Sequence, residues 1–162
     1  MSVNKGSKNQ ERKILSERKI ADILAVHLER LGYLTVKELV LNSSLFEIRA
    51  ITKRNISKVR IDVAAYKDGK ITFIEVENGL WLTHPLLYRD FAHRVFLACP
   101  FSDETPTDSE QISMAKVYGI GILKISELGT IMPILSPVDY DVPPIIANPI
   151  ISLIKSKLGI EQ

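Results

Sequence analysis

The sequence predicts an α/β (α+β) protein with one mixed central β-sheet flanked by helices. Runs rich in β-branched and aromatic residues alternate with segments of helical periodicity. Their order is one helix, a run of strands, and then helix–strand–helix–strand, which is typical of this class. The length of 162 residues corresponds to one domain that can bury a core without disulfides.

The elements follow from local patterns along the chain. Residues 1–10 are polar and basic and are predicted to form a flexible arm before a single domain over 11–162. A helix is expected at Glu11–Leu31, because apolar residues recur there every three or four positions. The later expectations are strands at Tyr33–Leu41, Val59–Tyr66, Ile71–Glu77, Arg94–Cys99, Gly119–Ile125 and Gly129–Leu135, a strand or extended piece at Leu45–Ile51, and helices at His84–Ala92, Asp108–Val117 and Ile145–Leu158, the last interrupted by Pro149.

Composition excludes several classes of site and location. The single cysteine, Cys99, allows no intramolecular disulfide and no zinc site built on several thiolates, so we expect it to be a small buried residue. No apolar run approaches the ~18 residues that span a bilayer, and the first residues lack the apolar segment of a secretory signal. We therefore expect no membrane partner and a cytoplasmic (intracellular) location. The formal net charge of +2 neither demands nor excludes nucleic acid.

The clearest local pattern is a hairpin centred on the segment Lys67–Lys70, which contains the Asp-Gly pair preferred in two-residue turns. This centre predicts that Asp62 faces Glu75 and that Arg60 faces Glu77. Directly opposed residues point to the same side of a sheet, and residues two apart share a face. Asp62, Glu75 and Glu77 should then lie together, with the Cβ atoms of the first two about 5 Å apart.

Opposed carboxylates destabilise a hairpin, and partial burial raises the cost. A hard cation such as Mg²⁺ or Mn²⁺ would offset their repulsion, since it prefers carboxylate oxygens. The alternative is a plain ion pair between Arg60 and Glu77, with Asp62 and Glu75 solvated at the end of the sheet. The residues alone leave both interpretations open.

The segments Arg60-Ile61-Asp62 and Ile74-Glu75-Val76-Glu77 together resemble the signature of the PD-(D/E)XK nuclease superfamily, including its restriction-endonuclease-like and Holliday-junction-resolvase-like members. That signature is an acid on one strand and E-x-K, or a variant, on the next strand of a hairpin. The order of elements is also similar over roughly Glu11 to Ile125. Glu77 stands where the family has lysine, although some restriction endonucleases of the superfamily carry E-x-E.

The resemblance implies a restriction-endonuclease-like fold and an Mg²⁺-dependent endodeoxyribonuclease. Asp62 and Glu75 would bind Mg²⁺ or Mn²⁺, and the backbone carbonyl of Val76 would be a further ligand. Glu77 would orient or deprotonate the attacking water, or bind a second ion. A glutamate on the first helix approaches the metal in Holliday-junction resolvases, so Glu17 is either a fourth ligand or an exposed charge on a helix.

The partner implied is nucleic acid, with DNA as the substrate class. Lys53, Arg54, Lys58 and Arg60 form a basic stretch that either neutralises phosphates or is a solvated face. Trp81 follows the acidic motif and either stacks on a base or is an ordinary aromatic residue. The three histidines show no metal-ligand spacing.

Two other classes remain open from the sequence. A nuclease fold that has lost its chemistry would act as a DNA-binding or assembly subunit, which the exchange of lysine for Glu77 favours. An unrelated α/β domain with an acidic hairpin by chance would bind no metal. The apolar C-terminal part, Ile131–Leu158, is compatible with a homodimer in any of these classes.

Overall fold

A six-stranded mixed sheet forms the centre of the computed structural model, which describes residues 15–46, 58–101 and 109–160. The strands are β1 (Leu34–Asn42), β2 (Lys58–Lys67), β3 (Lys70–Val76), β4 (Arg94–Pro100), β5 (Gly121–Ile125) and β6 (Ile131–Leu135), and the helices are α1 (Glu17–Arg30), α2 (Thr83–Tyr88), α3 (Ser109–Val117) and α4 (Pro144–Lys157). The strands lie in sequence order across the sheet. Strands β3, β4 and β5 are parallel, and the other neighbours are antiparallel. The predicted fold class is confirmed.

The predicted hairpin turn joins β2 to β3. Asp68 and Gly69 both have positive φ, of 50° and 80°, which is the conformation that an Asp-Gly turn adopts between antiparallel strands. Lys67 pairs with Lys70, as predicted. The predicted register then holds as far as the pair Val63–Ile74.

Helix α1 covers one face of the sheet. Its N-cap is Ser16, whose hydroxyl accepts the N–H of Lys19 at 3.2 Å. Ile20 and Leu24, one helical turn apart, are fully buried against a cluster that includes Val63 and Ile74. This packing fixes the start of α1, and therefore Glu17, above the ends of β2 and β3.

The other face is covered by α2, α3 and α4. Buried isoleucines of α4 pack against β1, β2 and β3, and Ala115 of α3 packs against β4 and β5. Tyr88 of α2 is buried, with its ring perpendicular to that of Phe73 at 5.8 Å between centroids. Cys99 is fully buried, as predicted.

Two predicted elements differ from the structure. Helix α4 is not interrupted, because it runs through Pro149; burial of Ile146, Ile150 and Ile154 offsets the backbone hydrogen bond that proline removes. The piece expected at Leu45–Ile51 begins instead as a 3₁₀ turn, Ser43–Leu45, and its continuation lies outside the described residues. The predicted arm, residues 1–10, also lies outside them.

Over the described ranges, no helix has the length and apolar composition that crossing a bilayer requires.

Truncation of Ile20 tests the packing that places α1. We expect Ile20→Ala to destabilise the fold by about 2–5 kcal/mol, since a fully buried side chain leaves a cavity. Val26→Ala, on the same helix at a residue that is 45% exposed, is the matched control and should shift stability by less than about 1 kcal/mol. Urea unfolding followed by circular dichroism measures both. Equal effects would show that α1 is not packed as described.

Candidate metal centre

The site lies where β2 and β3 separate. Regular pairing ends at Val63–Ile74, and the Oδ2 atom of Asp62 accepts the backbone N–H of Val76 at 2.8 Å. The predicted backbone pairs Asp62–Glu75 and Arg60–Glu77 are therefore not formed. A side chain of β2, rather than its backbone, accepts this hydrogen bond, so the strands diverge at Asp62.

Strand β1 is irregular at the same level. Its pairing with β2 passes from Lys37–Val63 to Leu39–Ile61 without a bridge at Glu38. Glu38 has a φ of 54°, which is uncommon for a residue with a side chain. Asp62 thus lies at an interruption of the pairing on both sides of β2, which frees it from the regular alternation of strand side chains.

Glu75 is the buried member of the site, with only 6% of its surface exposed. One oxygen, Oε1, lies 3.2 Å from Nδ1 of His84. The other oxygen, Oε2, is hydrogen-bonded to the hydroxyl of Tyr88. Both partners belong to α2, so this helix contacts both oxygens of the carboxyl group.

Burial raises the pKa of Glu75 to about 7 from its ordinary value of 4.5, and the negative charge of Asp62 adds to the increase. The hydrogen bonds from Tyr88 and His84 act in the opposite direction. A buried carboxyl group with this pKa is half protonated at neutral pH. A cation bound next to it would lower the pKa again, because it favours the charged form.

The hydrogen bonds that Tyr88 makes depend on the protonation state of Glu75. The Tyr88 oxygen also lies 2.8 Å from the carbonyl oxygen of Arg60. A phenol has one proton to donate, and burial raises the pKa of Tyr88, which keeps that proton in place. When Glu75 is protonated, Tyr88 can satisfy both neighbours, because it donates to Arg60 while Glu75 donates to it. When Glu75 is charged, Tyr88 donates to Glu75 instead, which is the hydrogen bond that lowers the pKa of Glu75.

Glu75, Glu77 and His84 offer three ligand atoms that all lie within 4.8 Å of one another. Nδ1 of His84 is 3.7 Å from Oε1 of Glu77. Glu77 is partly exposed and His84 is exposed, so the group opens to solvent on one side. Two carboxylates with one imidazole suit Mn²⁺ and related ions as well as Mg²⁺. The spacing of the histidines gave no sign of a ligand, but the fold makes His84 a further candidate.

Asp62 and Glu17 line a neighbouring cavity of about 490 Å³, together with Glu38, Arg60 and Val76. The pKa of Glu17 is raised by partial desolvation first and then by the charges of Glu77 and Asp62. Nη2 of Arg60 lies 4.0 Å from Oδ1 of Asp62. The cavity and the three-ligand group therefore belong to one acidic region. Whether Asp62, Glu17 and the carbonyl of Val76 bind an ion stays a prediction.

Two of the predicted basic residues lie beside this region. Lys58 and Arg60 are exposed on the first half of β2, and Arg60 directs its guanidinium group toward Asp62. Lys53 and Arg54 lie outside the described residues. The alternative interpretation, an ion pair between Arg60 and Glu77, is not formed among the described residues, where Arg60 contacts Asp62 at 4.0 Å instead.

His84 and Tyr88 were not predicted as members of the site. They are separated by four positions, which places them on one face of α2. The histidines show no ligand spacing among themselves because the fold, rather than a local motif, brings His84 to Glu75 and Glu77. The usable signal was a polar pair at helical spacing immediately after an acidic strand.

Comparison with known proteins finds a likeness among solved structures. No known family model and no curated protein matches the chain. The chain is similar to a crystal structure of AF1548, described as a protein of unknown function, with 15% identity over 89% of this chain and 67% of that one and a TM-score of 0.47. A likeness at this level says nothing about function.

Proposed function

We propose that the protein is a metal-dependent nuclease that hydrolyses phosphodiester bonds in DNA. The observation that supports the proposal is the convergence of Glu75, Glu77 and His84 within 4.8 Å, next to the carboxylate of Asp62. Two carboxyl groups and an imidazole at this spacing match the ligands of a divalent cation, and a bound cation would hold the buried carboxyl of Glu75 in its charged form. The resemblance of the acidic hairpin to the PD-(D/E)XK superfamily supplies the reaction class.

The donor set fits a hard or borderline divalent cation. Glu75, Glu77 and His84 would hold it, with Asp62 as the adjacent acid. Mg²⁺ or Mn²⁺ bound there lowers the pKa of water and neutralises charge on phosphoryl oxygens. Glu77, which is the more exposed of the two glutamates, orients the attacking water and accepts its proton. Arg60, exposed beside Asp62, contacts the phosphate of the substrate.

Substrate and location belong to the same proposal. Lys58 and Arg60 supply positive charge next to the acidic region, which suits a polyanionic strand. A cytoplasmic location stays a prediction. A homodimer also stays a prediction.

The test is an assay of cleavage on linear, single-stranded, branched and circular DNA. We expect cleavage with Mg²⁺ or Mn²⁺ and none with EDTA. Asp62→Asn should abolish cleavage and keep the fold, since an amide oxygen can still accept the Val76 N–H. Glu29→Gln, an exposed acid on α1, is the charge-matched control and should cleave normally. Equal cleavage by wild type and Asp62→Asn would refute the assignment.

A second candidate is a DNA-binding or assembly subunit without catalytic activity. The observation that favours it is the engagement of both Glu75 oxygens by His84 and Tyr88, together with Glu77 in place of the family's lysine. This candidate predicts binding to DNA that neither Mg²⁺ nor Mn²⁺ converts into cleavage. The same assay, combined with a binding measurement, separates the two.

A further inference from the structure

We propose that Trp81 stacks on an unpaired nucleobase beside the acidic region, so that the substrate is single-stranded or locally unpaired DNA. The inference rests on the proposed function, whose substrate class it narrows. Trp81 is 64% exposed and lies four residues after Glu77 and three before His84. A large aromatic ring is therefore left uncovered between two of the three proposed metal ligands.

The backbone that carries Trp81 is anchored. The carbonyl oxygen of Gly79 accepts the N–H of Trp81 at 3.0 Å and the thiol of Cys99 at 3.2 Å. Leu80, between Gly79 and Trp81, is buried. Two residues before Gly79, the N–H of Glu77 donates to the carbonyl of Ala98 at 3.0 Å. The segment immediately before the exposed ring is thus fixed to β4.

The indole itself is also held in one orientation. A Cβ atom at Gly79 would lie 2.9 Å from Nε1 of Trp81, so the ring lies directly against the glycine backbone. The part of the indole around Nε1 thereby contacts the turn, while Trp81 as a whole stays 64% exposed. A ring fixed in this way loses little conformational freedom when a planar group stacks on its free surface.

A second exposed ring lies on the same edge of the sheet. Strands β3 and β4 are parallel neighbours, so their carboxyl ends meet at one edge, where ligands of such sheets bind. Trp81 follows β3, and Phe101, which is 40% exposed, follows β4 directly. The two aromatic side chains and the carboxylates of Glu75 and Glu77 are all placed at this edge.

A nucleobase fits this surface better than an apolar protein side chain does. The carboxylates bind phosphate only through a cation, whereas a neutral base meets no repulsion from them. Ring and cation can then hold different parts of one nucleotide. Bases inside a duplex have both surfaces stacked, so a ring on the protein surface reaches only an unpaired one.

Intrinsic fluorescence tests the proposal directly, because Trp81 is the protein's single tryptophan. The probe is a short oligothymidylate in Ca²⁺, with a gel to confirm that the strand stays intact. We expect saturable quenching by this strand and much less by an abasic strand of equal length. Anisotropy of a labelled strand should show about 10-fold weaker binding for Trp81→Ala and a smaller loss for Trp81→Phe.

Val117→Ala is the matched control, since Val117 is 81% exposed and ends α3 at the opposite edge of the sheet. It should bind the strand as the wild type does. Equal affinity of Trp81→Ala and wild type, or equal quenching by the abasic strand, would overturn the stacking proposal. If cleavage persists in that case, only this proposal falls. If the strand stacks on Trp81 but is never cleaved, the proposed nuclease activity is wrong and the proposal of a single-stranded partner stands.

Discussion

Replacing Glu75 with glutamine is expected to lower cleavage of DNA by at least about 10³-fold, since a metal ligand contributes several kcal/mol to the reaction. The same change should stabilise the fold at alkaline pH. Glu75 is buried against Tyr88 and has a pKa of about 7 instead of 4.5. Glutamine has a similar shape and carries no charge at any pH.

The sign of the pH effect follows from proton binding. Between pH 4.5 and 7 the folded protein retains a proton on Glu75 that the unfolded chain releases, so the stability of the wild type falls as pH rises. The stability of the Glu75→Gln variant does not fall in this way, because glutamine does not titrate. Its advantage over the wild type should therefore grow by roughly 3 kcal/mol between pH 4.5 and 8.

Urea unfolding at both pH values, without divalent ions, measures this advantage. Glu29→Gln, at an exposed position, should track the wild type at each pH. If the difference in free energy of unfolding between Glu75→Gln and wild type were the same at both pH values, the folded state would not raise the pKa of Glu75. That result concerns the fold alone and leaves the cleavage experiment as a separate test of function.

Divalent cations are expected to stabilise the wild type strongly at pH 8 and weakly at pH 5.5. An ion at one hundred times its dissociation constant adds about 2.7 kcal/mol to the free energy of unfolding. At pH 5.5 the ion must displace the proton that Glu75 holds, so its apparent affinity falls. Thermal unfolding over a concentration series of Mg²⁺ and of Mn²⁺ measures the effect.

Variants of the three ligands show whether these residues bind the ion. Glu77→Gln and His84→Ala should both reduce the stabilisation, and His84→Ala should reduce it more for Mn²⁺ than for Mg²⁺, because imidazole is the softer ligand. Stabilisation that is unchanged in both variants would place the ion elsewhere or exclude a specific site.

Sequence patterns predicted the fold class and the hairpin because both depend on local chemistry. The Asp68-Gly69 pair fixes a turn with two positive φ angles, and the turn fixes the register of the adjoining strands. The departure at Asp62 was not predictable in this way. It depends on the side chain of Asp62, which accepts the Val76 N–H in place of a backbone carbonyl. Rules for strand register consider only hydrogen bonds between backbone groups.

Tertiary packing decided the remaining differences. Pro149 ends a helix in isolation, but the buried face of α4 keeps it helical. His84 becomes a candidate ligand only when α2 packs next to β3. Both outcomes depend on how a helix packs against the sheet, which local patterns along the chain do not specify.

Because α2 supplies both His84 and Tyr88, the contacts of the two Glu75 oxygens depend on the position of one helix. A small rotation or translation of this six-residue helix moves the imidazole and the phenol together. In the proposed metal centre, the affinity for an ion would therefore depend on the position of α2 and on its buried Pro85, although Pro85 offers no ligand. Natural variation at such supporting positions would tune the centre while the acids themselves stay unchanged.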